Sequence, residues 1–92
     1  MKPSEILYRA IEVLDERGWC RGKFVDDKGR CCGSEAIIQV GQFGANYLVA
    51  YLAVAKEVGG LITGFNDNVA RDKRHVQQKM RKAAKALEAE GR

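Results

Sequence analysis

Residues 69–89 read VARDKRHVQQKMRKAAKALEA, and this stretch decides the fold class. Val69, Val76, Met80, Ala83 and Leu87 recur at about 100° per residue, the period of one helix face. Arg71, Arg74, Lys79, Arg81, Lys82 and Lys85 spread over the opposite side. The spacing predicts an amphipathic helix over 69–89, capped by Asn66, Asp67 or Asn68. The same region holds the entire net charge. Residues 1–65 carry 8 Lys/Arg and 8 Asp/Glu, whereas residues 66–92 carry 8 and 4, which leaves the whole +4. A neutral body with a basic helix points to an acidic partner surface.

Working outward, the rest of the chain is also helical in pattern. Residues 4–17 carry Ile6, Leu7, Ala10, Ile11 and Leu14 as one apolar stripe, with Pro3 at the first turn and Gly18 as the stop. Ser34 opens a second helix with Ala36, Ile37, Ile38 and Val40, ending near Gly41. Residues 45–57 are apolar nearly all round, which predicts a central, buried third helix ending at Gly59-Gly60. Residues 61–68 read as a connector. Between the first two helices lies a glycine-rich segment, 18–33. The turn signal Asp26-Asp27-Lys28-Gly29, flanked by Lys23-Phe24-Val25 and Arg30-Cys31-Cys32, predicts a small β-hairpin anchored by Trp19 and Phe24. The expected fold is therefore mainly α: one domain over 1–92, with four helices and a hairpin. Its core should include Ile6, Ala10, Leu14, Trp19, Ile37, Leu48, Leu52, Ala55, Phe65, Val76, Met80 and Leu87. Phe43, Tyr47 and Tyr51 read as core as well. A dimer through the third helix is the other way to cover its apolar surplus.

The chain is 46% hydrophobic and 30% charged, the profile of a folded domain rather than a disordered one. No apolar run follows Met1-Lys2, so no secretory signal peptide is expected. The apolar stretch 43–58 contains Asn46, Lys56 and Glu57 and falls short of the roughly 20 residues of a membrane-spanning helix. A cytoplasmic protein with reduced thiols follows from this reading.

No arrangement of residues carries a catalytic or cofactor signature. Cys20, Cys31 and Cys32 lack the C-x₂₋₄-C pairing of zinc sites and read first as small buried thiols. A thiol or metal site there is the alternative. His75 falls with the cations of the last helix, away from the cysteines, so a Cys-His dyad is disfavoured. Asp15-Glu16 and Asp26-Asp27 belong to a helix surface and a turn. The glycines at 18, 22, 29 and 33 match no phosphate-binding loop.

Gly18-Trp19-Cys20, Asp27-Lys28-Gly29-Arg30-Cys31, Gly33 with Ala36, and Phe65-Asn66-Asp67 before a final helix form a pattern. It resembles a family of small uncharacterised proteins from actinobacteria and their phages, in which tryptophan stands where this chain has Phe65. The resemblance covers most of the chain and carries no activity. It implies a phage or prophage accessory protein that binds a host protein. Combined with the charge pattern, the expected function is a non-enzymatic interaction module, without cofactor or metal, that uses Arg71, Arg74, Arg81, Lys82 and Lys85. An acidic protein is the favoured partner, nucleic acid the alternative on the same face. A membrane is disfavoured because no bulky apolar residue lies among those cations.

Overall fold

The computed structural model describes residues 1–92 and contains five α-helices and no β-strand. They are α1 (Pro3–Arg17), α2 (Gly33–Gly41), α3 (Ala45–Val58), α4 (Ile62–Asn68) and α5 (Lys73–Ala89). This corrects the expectation of four helices and a hairpin in two places.

The first is the hairpin. Its turn forms: Asp26 Oδ1 accepts the amides of Lys28 and Arg30, at 3.0 and 2.9 Å, and Gly29 N–H donates to Asp26 C=O. The flanking strands do not form. Cys31 meets Val25 in one isolated antiparallel bridge and Trp19 in one parallel bridge. Its N–H donates to Gly18 C=O, and its C=O accepts from Cys20 N–H. One fully buried residue thus divides its pairing between two segments, and no ladder grows from either. Cys32, also buried, is already the N-cap of α2, with Sγ accepting Glu35 N–H at 3.4 Å. Too little chain remains between the turn and α2 for a strand.

The second correction is α4. Ile62, Phe65 and Asn66 are buried at helical spacing, so the supposed connector folds into two turns of helix. In consequence α5 starts later than predicted. Asp72, not the 66–68 triplet, caps it, accepting His75 N–H at 2.9 Å. Val69 lies outside the helix and is 61% exposed.

α1 and α5 pack antiparallel as the main axis of the core. Ser4 N–H and hydroxyl reach Arg92 C=O at one end, Tyr8 hydroxyl donates to Glu88 at 2.6 Å, and Lys73 pairs with Asp15 at the other end. Buried Gln77 bridges the pair, its amide donating to Ile11 C=O and Asp15 Oδ1. All five helices contribute to one apolar core, with Leu7, Leu14, Ile37, Ile62 and Met80 at its centre. Of the predicted core, Ile6, Ala10, Leu14, Ile37, Phe65, Val76, Met80 and Leu87 are buried.

α3 departs from expectation. It is not central: only Ala50 and Val54 are buried, while Leu48 and Leu52 are 54% and 57% exposed. Small inward side chains let this helix lie close against its neighbours, which turns the larger leucines outward. Ala55 and Trp19 are half-buried, and Phe24 and Phe43 are exposed. No single helix is long and apolar enough to cross a membrane.

Candidate interaction surface

The five cations expected to form a binding face divide into three groups. Arg74, Arg81 and Lys85 sit at positions i, i+7 and i+11 of α5, within an arc of about 40° and a rise of about 16 Å. All three are exposed. The ion pairs of α5 are made by other residues. Lys73 binds Asp15 at 2.9 Å and Lys82 binds Glu57 at 3.1 Å. These two cations fasten α5 to α1 and α3 on either side, leaving the stripe between them open. Lys82 is thus at the edge of the face, committed to α3. Arg71 precedes the helix, its N–H donating to His75 Nδ1 at 3.1 Å. The hydrogen bonds from Lys73 and Gln77 hold the Asp15 carboxyl below the usual carboxylate range.

His75 does not stand with the open cations. It is half-buried, and its ring meets the ring of Phe65 edge-on at 5.1 Å. The cause is the late start of α5, which brings His75 into the first turn above α4.

The three cysteines are free and buried. Each has a structural place: Cys32 caps α2, Cys20 Sγ lies 3.3–3.4 Å from the carbonyls of Arg30 and Lys23, and Cys31 sits in the core. Burial pushes the Cys31 thiol up to about 11 and raises the other two. No three His, Cys, Asp or Glu side chains converge as a metal site would require. A thiol reagent at neutral pH is therefore expected to find almost no fast-reacting thiol in the folded protein and three after denaturation. One rapid equivalent in the native state would show that the glycine-rich loop opens.

Spatially, Trp19, Cys20, Gly33 and Asp67 gather around one side chain. Asn66, fully buried, accepts the indole N–H of Trp19 at 2.6 Å and Gly33 N–H at 2.9 Å on Oδ1. Its Nδ2 donates to Cys20 C=O at 3.0 Å and Asp67 Oδ1 at 2.9 Å. Asp67 Oδ1 also accepts Gly22 N–H at 2.9 Å, and these bonds hold its carboxyl below the ordinary range. Arg21 lies over the Trp19 ring at 4.7 Å and donates to the carbonyls of Ala70 and Arg71. The loop before α2, the start of α2, α4 and the approach to α5 are tied together here.

The model of a family of unknown function, DUF6197, matches residues 1–86. The chain belongs to DUF6197. No curated protein and no solved structure matches it. The DUF6197 match runs from α1 into the last turns of α5, so it takes in both the Asn66 cluster and the basic stripe. In this DUF6197 chain the motif residues around Asn66 serve the fold. Trp19, Cys20, Gly33, Asn66 and Asp67 bond to one another. Residue order alone assigns Asn66 to capping. Its burial one turn into a short helix is the signal that this reading misses, hidden because residues 61–68 read as a connector.

Proposed function

We propose that this chain is a non-enzymatic interaction module that binds an acidic protein through the outer face of α5. Arg74, Arg81 and Lys85 carry the contact, with Arg71 and Lys82 at its margins. The supporting observation is that these three cations stand exposed in one stripe while their neighbours Lys73 and Lys82 are paired within the molecule. The arginines offer planar, multi-donor contacts to carboxylates. Arg21 fixes the glycine-rich loop beside Arg71, so this loop extends the surface at the N-terminal end of α5. A phage or prophage accessory role in the cytoplasm, with a host protein as the target, fits such a module.

The test is capture of partners from lysate by the tagged protein, with and without nuclease, beside the R74E/R81E variant. Both side chains are exposed, so the variant keeps its fold. The expected result is a nuclease-resistant protein partner whose affinity falls about tenfold or more in the variant. Equal recovery by the variant would overturn the reading. Recovery of nucleic acid alone, with a steep salt dependence, would replace the acidic protein with a phosphate backbone.

A further inference from the structure

We infer that the groove between the end of α3, α4 and the first turns of α5 receives a bulky apolar side chain of the partner, with the carboxylates beside that side chain held by Lys79 and His75. This rests on the acidic protein proposed for α5 and adds what that protein must carry. The groove has a volume of about 490 Å³. Buried Phe65 lies at its base, and Val58, Leu61 and Val69 line its walls. Leu61 and Val69 are 76% and 61% exposed. They stand at the two ends of α4, Leu61 as its N-cap and Val69 as its C-cap. Polar residues or glycine ordinarily serve those positions. Gly59 and Gly60 keep the mouth open, since a Cβ at either would meet nothing within 4 Å.

Charge selects the occupant. The two polar side chains of the groove are both donors. His75 Nδ1 accepts Arg71 N–H at 3.1 Å, which puts the proton of the neutral ring on Nε2. That Nε2–H has no partner within the chain, and the ion pairs of α5 are made by Lys73 and Lys82 rather than Lys79. No carboxylate lines the groove. The acidic residues closest to it in sequence are already engaged: Glu57 with Lys82, Asp67 with Gly22 N–H and Asn66, and Asp72 as the cap of α5. An apolar groove with donors at its side matches an apolar side chain flanked by carboxylates.

Exposure favours a protein over a small molecule. Small-ligand pockets cover about 70–90% of what they bind. Here the two apolar walls themselves stand in water, and only a surface wider than the groove covers them. The groove also adjoins the basic stripe. His75 follows Arg74 and lies about 100° around α5 from it, so a segment paired with Arg74 reaches the groove with its next side chains.

Fluorescence anisotropy with short labelled peptides tests this. One peptide sets a single leucine among glutamates, the second has serine for the leucine, and the third keeps the leucine but has glutamines for the glutamates. The wild type should bind the leucine peptide about tenfold tighter than the serine peptide, and should lose most of its affinity for the glutamine peptide. L61S/V69S should lose the leucine preference, bind the serine peptide as the wild type does, and keep its helical circular dichroism spectrum. R74E/R81E should weaken both acidic peptides in parallel and keep the preference. If R74E/R81E binds both as the wild type does while the preference persists, the groove stands and the stripe does not. An undiminished preference in L61S/V69S would overturn the groove and leave the stripe. Equal wild-type binding of the leucine and serine peptides, equal binding of the glutamine peptide, or no binding of any would also overturn the inference. Octanoate that displaces the leucine peptide more effectively than the serine peptide does would make this a small-amphiphile site and overturn a protein occupant.

Discussion

Asn66→Ala is expected to cost about 3–4 kcal/mol, the largest single-residue effect proposed for this protein. Neutral buried hydrogen bonds contribute about 1 kcal/mol each, and a buried donor left unpaired costs about 1–3. Asn66 has both lone-pair directions of Oδ1 and both Nδ2 protons in use. Truncation leaves the indole N–H of Trp19 and Gly33 N–H without their acceptor, and no other buried side-chain nitrogen or oxygen lacks a partner to begin with. A chain of this size has about 5–14 kcal/mol to lose. A fall in the thermal midpoint of about 15 °C is expected. Urea unfolding followed by Trp19 fluorescence measures it directly, because the only tryptophan reports on the affected contact. N66D makes the chemistry specific. It keeps an acceptor for Trp19 and Gly33 but sets a second carboxylate oxygen against Cys20 C=O and Asp67. The new carboxyl has a raised pKa in the folded state, so the variant should regain stability as pH falls through that raised value. A variant as stable as the wild type at pH 7 would refute the central role assigned to Asn66.

Gly41→Ala is expected to cost about 2 kcal/mol. A Cβ at this position would stand 2.6 Å from Tyr47 Cβ and 3.1 Å from Tyr47 Cα. The first is the root of a side chain and the second is backbone, so no rotamer change makes room. The first turn of α3 must move away from the end of α2. The small gain in helix propensity from alanine offsets only part of this, because Gly41 ends its helix. Gly64→Ala is the control, since its nearest neighbour is Leu61 Cβ at 3.9 Å. Comparing the two midpoints in denaturant decides the point: near-equal stability would mean that the corner is more yielding than its geometry indicates.

The stripe on α5 is legible in the residue spacing alone, and so is the first helix, because each depends on periodicity within one helix. The membership of the stripe is not. Whether Lys82 faces solvent or Glu57 depends on where α3 lies, and Arg71 falls outside the helix because Asp72 takes the cap. The Asn66 cluster is assembled from residues as far apart as Trp19 and Asp67, so its parts appear in the sequence only as separate short motifs.

By itself, the sequence determined the helical class, the amphipathic faces of α1 and α5, the glycine stops and the turn at Asp26. These are local: periodicity and turn chemistry act over a few neighbouring residues. Only the tertiary structure decided that α3 faces outward, that Cys31 divides its pairing instead of building a hairpin, and that residues 62–68 are helical around Asn66. The physical reason is that a helix apolar on every side has no preferred inner face. Its orientation follows from which side chains allow close approach, and here the small Ala50 and the branched Val54 pack inward while Leu48 and Leu52 remain in water.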